Sequence, residues 1–243
     1  MATIEQLPTH SATRDTPLEA KCDPSTRVTR SLLGYGVLSG ILFTVVWLGQ
    51  ALGRRGFSLR TDAASLLANG HLGWIQSVNF LVSGAMVIAA AAGIRRAIGD
   101  TRTELWAARL IAVYGLGIAA AGVFRADPMD GFPPGTPAGA ATHTSWHGNL
   151  HFLVGGIGFL GLIAAALLFS RLFTRRTRPS WASASAATGV IFLAANVIAG
   201  VVSTHHEAAS NLTLTAGVVL AWAWLAAISI HLYRSLSPDP TTT

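Results

Sequence analysis

Six apolar runs of about 20 residues or more recur between Ser31 and Arg234, and about 20 residues is the length of α-helix that crosses roughly 30 Å of hydrocarbon. A chain of 243 residues with 51% hydrophobic and only 12% charged residues has too little polar material to cover such runs as a soluble globule. Lipid has to solvate them. The expected fold is therefore all-α, a polytopic bundle of six transmembrane helices over 31–53, 74–98, 105–124, 147–173, 181–204 and 212–233. The bundle accounts for 30–234 and leaves no room for a second domain. Residues 1–29 mix Thr, Pro, Ser and charged residues without periodicity and lack a secretory h-region, so they read as a disordered cytoplasmic tail. Residues 235–243 form a second short tail.

The formal charge of +6 does not point to nucleic acid, because the basic residues sit in short clusters between apolar runs and not on one face. They are topology signals. With the N-terminus in the cytoplasm, 13 of the 17 Lys and Arg flank the cytoplasmic side, and only Arg54, Arg55, Arg60 and Arg125 fall opposite. Cytoplasmic flanks carry the positive excess, so both termini are expected in the cytoplasm and the chain in the cell (inner) membrane. The preference for Arg over Lys and the abundance of Ala match a GC-rich bacterial genome. Cys22 is the lone cysteine, which excludes an intrachain disulfide or a cysteine-based metal cluster.

Local signals fill in the connections. Residues 62–68 are expected to form a short interfacial helix capped by Thr61. Four prolines between Pro128 and Pro137 forbid continuous helix and make that loop a stiff cap over the bundle. Trp47, Trp74, Trp146 and Trp181 read as interfacial belt residues. The run Gly155-Gly156-Ile157-Gly158 is expected to let helix backbones approach closely.

Six of the eight histidines, His71, His143, His147, His151, His205 and His206, lie in or beside the three connections assigned to the outer face. Arg125, Asp127, Asp130 and Glu207 share that end. Ionisable groups so close to hydrocarbon are costly unless they pair or face a wet cavity, which makes them candidates for function. Gln76, Asn79 and Ser83, at i, i+3 and i+7, line one helix face toward the same end, and Asn196, Gly200, Ser203 and Glu207 do so on the fifth span. The expectation is a polar, water-accessible cavity roofed by the Pro/Gly-rich loop.

Ser65-Leu66-Leu67, Gly73-Trp74-Ile75-Gln76-Ser77-Val78-Asn79-Phe80, Phe124-Arg125-Ala126-Asp127-Pro128, the Gly131 to Pro137 loop and Trp146-His147-Gly148-Asn149-Leu150-His151 form a specific set. In these motifs the chain resembles bacterial membrane proteins catalogued as domain of unknown function 998, over nearly the whole membrane part. The resemblance implies a six-helix bundle, brings no established activity, and marks Asp127, His147 and His151 as family-like.

Three functions compete. The first is metal-assisted hydrolysis of a lipid-like substrate, with His147, His151 and His205 or His206 holding zinc, Asp127 or Glu207 as the catalytic base, and Arg125, Gln76 and Asn79 binding cofactor or ligand. That layout is similar to the alkaline ceramidase and adiponectin receptor group in site placement alone. The second is a non-enzymatic ligand-binding, sensor or transport-associated protein with an amphipathic small molecule in the cavity. The third is haem ligation by His151 and a histidine of the fifth helix, for electron transfer.

Overall fold

A computed structural model describes residues 24–139, 141, 143–202 and 207–236. Six α-helices make up the fold: α1 (Pro24–Gly53), α2 (Gly73–Ile98), α3 (Arg102–Val123), α4 (Trp146–Arg175), α5 (Pro179–Val202) and α6 (Glu207–Ser235). At 22 to 30 residues each is long and apolar enough to cross a bilayer. No strand occurs among the described residues beyond an isolated bridge between Met129 and Phe132. The chain is a six-helix, multi-pass membrane protein. The expected spans match these helices within a few residues, except that α1 begins at Pro24, so 24–29 extend the first helix and are not tail.

Each helix packs on the next in sequence, and α6 returns to α1, closing a ring. Short connections between long helices impose this up-and-down order. One end of the ring, the loop end, carries 54–72, 124–145 and the α5–α6 connection; the other carries both ends of the described chain. Small residues set the spacing of the ring. A Cβ at Gly84 would lie 2.6 Å from the Gly115 carbonyl of α3, and one at Gly117 would lie 2.8 Å from Gly158 Cα of α4. Of the glycine run on α4, therefore, Gly158 makes the close approach. Gly155 and Gly156 meet nothing within 4 Å.

At the end opposite the loops, Thr101 caps α3 in a reciprocal box with Glu104, whose carboxylate also pairs with Arg176 at 2.6 Å. This ties α3 to the α4–α5 turn. At the loop end, Arg54 donates to the carbonyls of Leu67 and Asn69 at 2.5 and 2.7 Å and lies 4.8 Å from the centroid of the buried Phe132 ring. Asn69 donates in turn to the Ala126 carbonyl. One guanidinium thus fastens 54–72 to the Pro/Gly-rich loop, a task for a planar fork of donors.

The expected helix at 62–68 is a 3₁₀ helix, Ala64–Ala68, with no side-chain cap. Thr61 does not cap it: the Thr61 hydroxyl donates to Asp62, and the Asp62 carboxylate accepts from the Ser58 backbone N–H. Leu66, Leu67 and Ala68 are fully buried. Apolar side chains on both sides of so short a helix drive it into the mouth of the ring and not along a membrane surface.

Candidate ligand cavity

A cavity of about 310 Å³ lies within the ring, and side chains of all six helices and of the 3₁₀ helix wall it. Its volume falls at the low end of the roughly 300–1,000 Å³ typical of small-molecule pockets. An aromatic cluster forms the deep wall: Phe43 lies 5.5 Å from Trp222 between ring centroids, Tyr114 5.7 Å from Trp222, and Phe43 5.5 Å from Phe80. Nearer the loop end the wall includes Ser65, His151, Asn196 and Asn211. No Asp, Glu, Lys or Arg lines it among the described residues.

Two wall residues, Trp47 and Trp222, bury indole N–H groups that have no hydrogen-bond partner among the described residues. Buried donors are almost always satisfied, so these two indole N–H groups are exceptions that the packing around the wall leaves unpaired. Trp47 is thus a wall residue at 9% exposure, not an interfacial belt residue, whereas Trp74 and Trp146 are more than half exposed as a belt requires.

His151 is the histidine in the wall. Its Nδ1 stands 2.7 Å from the Phe124 carbonyl and 3.3 Å from that of Ala121. A carbonyl only accepts, so Nδ1 bears a proton, and in the neutral ring Nε2 is left as an acceptor, without a partner among the described residues. The end of α3 thereby fixes the ring orientation.

Asp127 has a different task. Its carboxylate accepts from the Ser145 backbone N–H at 2.7 Å and from the Ser145 hydroxyl at 2.6 Å, while Ser145 caps α4 by accepting from Gly148 N–H at 3.1 Å. The carboxylate sits over the first turn of α4 and leaves no room for a Cβ at Gly148. An anion there is favoured by the helix dipole and the free N–H groups. The spacing of the Ala-Asp-Pro and Trp-His-Gly motifs is explained by this cap.

His147 shares a helix face with His151 by spacing, but it is exposed and its ring stacks on Trp146 at 3.6 Å between centroids. Arg125 and Glu207 are exposed and stand outside the cavity wall. His205 and His206 lie outside the described residues. Among the described residues no group of three His, Cys, Asp or Glu side chains is close enough to hold a metal ion.

Gln76, Asn79 and Ser83 are buried between α1 and α2 and do not line the cavity. Gln50 donates to Gln76 at 2.8 Å, Asn79 donates to Gln76 and to the Phe43 carbonyl, and Ser83 donates to Asn79. Polar side chains deep in a membrane bundle gain most by pairing with each other, and here they cross-link two helices. The expected wet, polar cavity is instead largely apolar. Trp222, Tyr114 and Phe159 of its wall carry no signal in the sequence, because an aromatic residue in an apolar run faces lipid as readily as a cavity.

The family model for the protein of unknown function DUF998 matches residues 37–231. Searches of curated proteins and of solved structures returned no match.

Proposed function

This chain belongs to the DUF998 family of proteins of unknown function, and from that premise we propose that it is a ligand-binding membrane protein whose ring of helices holds an amphipathic small molecule. The observation that carries this reading is the cavity itself, walled by aromatic side chains, with the polar side chains of Ser65, His151, Asn196 and Asn211 gathered toward one end. Apolar walls with a few convergent polar groups are what small-molecule sites look like.

Binding is favoured over metal-assisted hydrolysis because Asp127 spends both carboxylate oxygens on Ser145 and His147 stacks outside the wall. Hydrolysis through zinc would call on His205 or His206 to join His151. Haem ligation would call on one of the same two residues opposite His151, since His147 lies on the same helix.

Native mass spectrometry of the delipidated protein, titrated with single-chain amphiphiles, tests the binding reading: a saturable one-to-one adduct is expected. Titration without any saturable adduct contradicts it. Elemental analysis of protein purified without chelator covers the alternative, which stoichiometric zinc, lost in both His147→Ala and His151→Ala, would reinstate.

A further inference from the structure

The seam between α4 and α5 is not equally tight along its length. α4 meets α5 through Phe159 against Phe192 at 5.1 Å between centroids, through Gly189 against Leu167 and Ile163, and through Phe173 against Trp181. All of these contacts lie at Phe159 or farther from the loop end. On the loop side of Phe159, Gly155 and Gly156 belong to the cavity wall yet would meet nothing within 4 Å if given a Cβ. Phe152, one turn nearer the loop, also belongs to the wall and is 55% exposed.

The cause is visible in the packing. Gly158 and Gly161 draw α4 onto α3, where a Cβ at Gly161 would stand 3.0 Å from the Leu110 carbonyl. α5 is held to α6 by Gly217, seated against Ala195 and Phe192, and by Ser210 donating to the Ala199 carbonyl at 2.8 Å. α4 is thus drawn to α3 and α5 to α6, and none of the α4–α5 contacts named above lies on the loop side of Phe159.

From this geometry, and resting on the ligand-binding reading above, we propose that the cavity is loaded sideways from the bilayer through the α4–α5 seam, and that its occupant is an uncharged, hydroxyl-bearing single-chain amphiphile. The seam faces the medium that surrounds the spans, so a molecule already dissolved in lipid enters without crossing water. The chemistry of the wall selects the head group. A phosphate or carboxylate buried where no Lys or Arg stands among the described residues would lose its hydration uncompensated, a cost of several kcal/mol or more. A hydroxyl donates to His151 Nε2, and the amide side chains of Asn196 and Asn211 offer polar partners to an ester or amide carbonyl. The polar residues His151, Asn196, Asn211 and Ser65 lie toward the loop end of the wall, and Phe159, Val218 and Trp222 lie deeper. His151 and Phe159 are eight residues apart on α4, about 12 Å along the axis. The head therefore sits near the membrane boundary and the chain points inward.

The test uses the full-length protein in phosphatidylcholine vesicles with two photoactivatable probes of equal chain length, a diazirine-bearing monoacylglycerol and the corresponding fatty acid at pH 8. Cross-links are mapped by mass spectrometry. The monoacylglycerol is expected to label wall positions such as Phe159 and Val218 at least fivefold more than the fatty acid does. Gly156→Trp, which places a side chain into open space and keeps the α4–α3 contact, is expected to reduce that labelling by a similar factor. Gly155→Leu provides a second, smaller block. Equal labelling by the two probes overturns the uncharged assignment. Unchanged labelling in both glycine variants overturns the lateral entry while leaving the binding reading intact. Absence of wall labelling by either probe in wild-type protein overturns the binding reading itself.

Discussion

Asp127 and Ser145, 18 residues apart across the Pro/Gly-rich loop, are joined by two hydrogen bonds of 2.7 and 2.6 Å onto one carboxylate. The loop is thereby closed at its base, and the first turn of α4 receives an anion as well as a hydroxyl cap. The bond to His151 Nδ1 from the end of α3 then joins the same two helices one turn deeper. The orientation of the histidine in the wall depends on both links.

Asp127→Ala should therefore lower thermal stability by more than Asp127→Asn, which keeps one acceptor. Loss of an N-cap contact costs about 0.5–2 kcal/mol, and a charge-assisted bond lies toward the top of that range. Ser145→Ala should cost a similar amount and couple to Asp127→Ala, so that the double variant loses less than the sum. Additive losses in detergent melting curves would show that the two residues act independently.

His151→Leu should remove ligand binding and leave the Phe124 and Ala121 carbonyls without their donor, a loss of about 1–3 kcal/mol in stability. His151→Asn, which retains a donor, should recover part of the stability but little of the affinity. Native mass spectrometry for binding and a melting curve for stability separate the two effects. Undiminished adduct formation by His151→Leu would remove this residue from the site.

Asp130 gives the loop a pH response. Partial burial raises its carboxyl above the ordinary carboxylate range, and the charges of Glu207 and Asp62 add to the rise. A raised folded-state value means that the native state holds the proton more tightly than the unfolded chain does. Stability is therefore lost as pH climbs from the ordinary carboxylate value, about 4, through the raised one, and the penalty is complete above that. Asp130→Asn should stabilise the protein slightly at pH 7 and have no effect below about pH 4. Because the group is only partly buried, salt should erode the gain. Asn also tolerates the left-handed backbone at this position, where φ is 56°. A variant less stable than wild type at pH 7 would contradict the argument.

The two ends of the ring differ in charge, and the arrangement of helices places the 95–109 and 171–178 basic clusters at the end shared by both termini. Reporter fusions after Arg102 and after Arg178 should score as cytoplasmic, and fusions within 135–144 as exterior. The reverse pattern would turn the cavity mouth toward the cytoplasm and change which leaflet supplies the ligand.

Sequence alone determined the number of helices, their approximate ends and their up-and-down order, because spanning length and apolar composition are local properties that no tertiary contact overrides. It also singled out Asp127 and His151, but tertiary structure gave them separate partners, Ser145 for the carboxylate and the Phe124 carbonyl for the ring. Tertiary structure decided which way each face turns. In water an apolar face marks the core, but in lipid both faces of a helix are apolar, so the exposed Ile157 and the buried Leu162 look alike in the chain. For the same reason Gln76 and Asn79, conspicuous as polar residues, are packed against α1, while Trp47, which reads as a belt residue, and the unremarkable Tyr114 and Trp222 wall the cavity. The lateral entrance proposed between α4 and α5 rests on two packings, Gly158 on α3 and Gly217 on α5, which exist only once the helices are assembled.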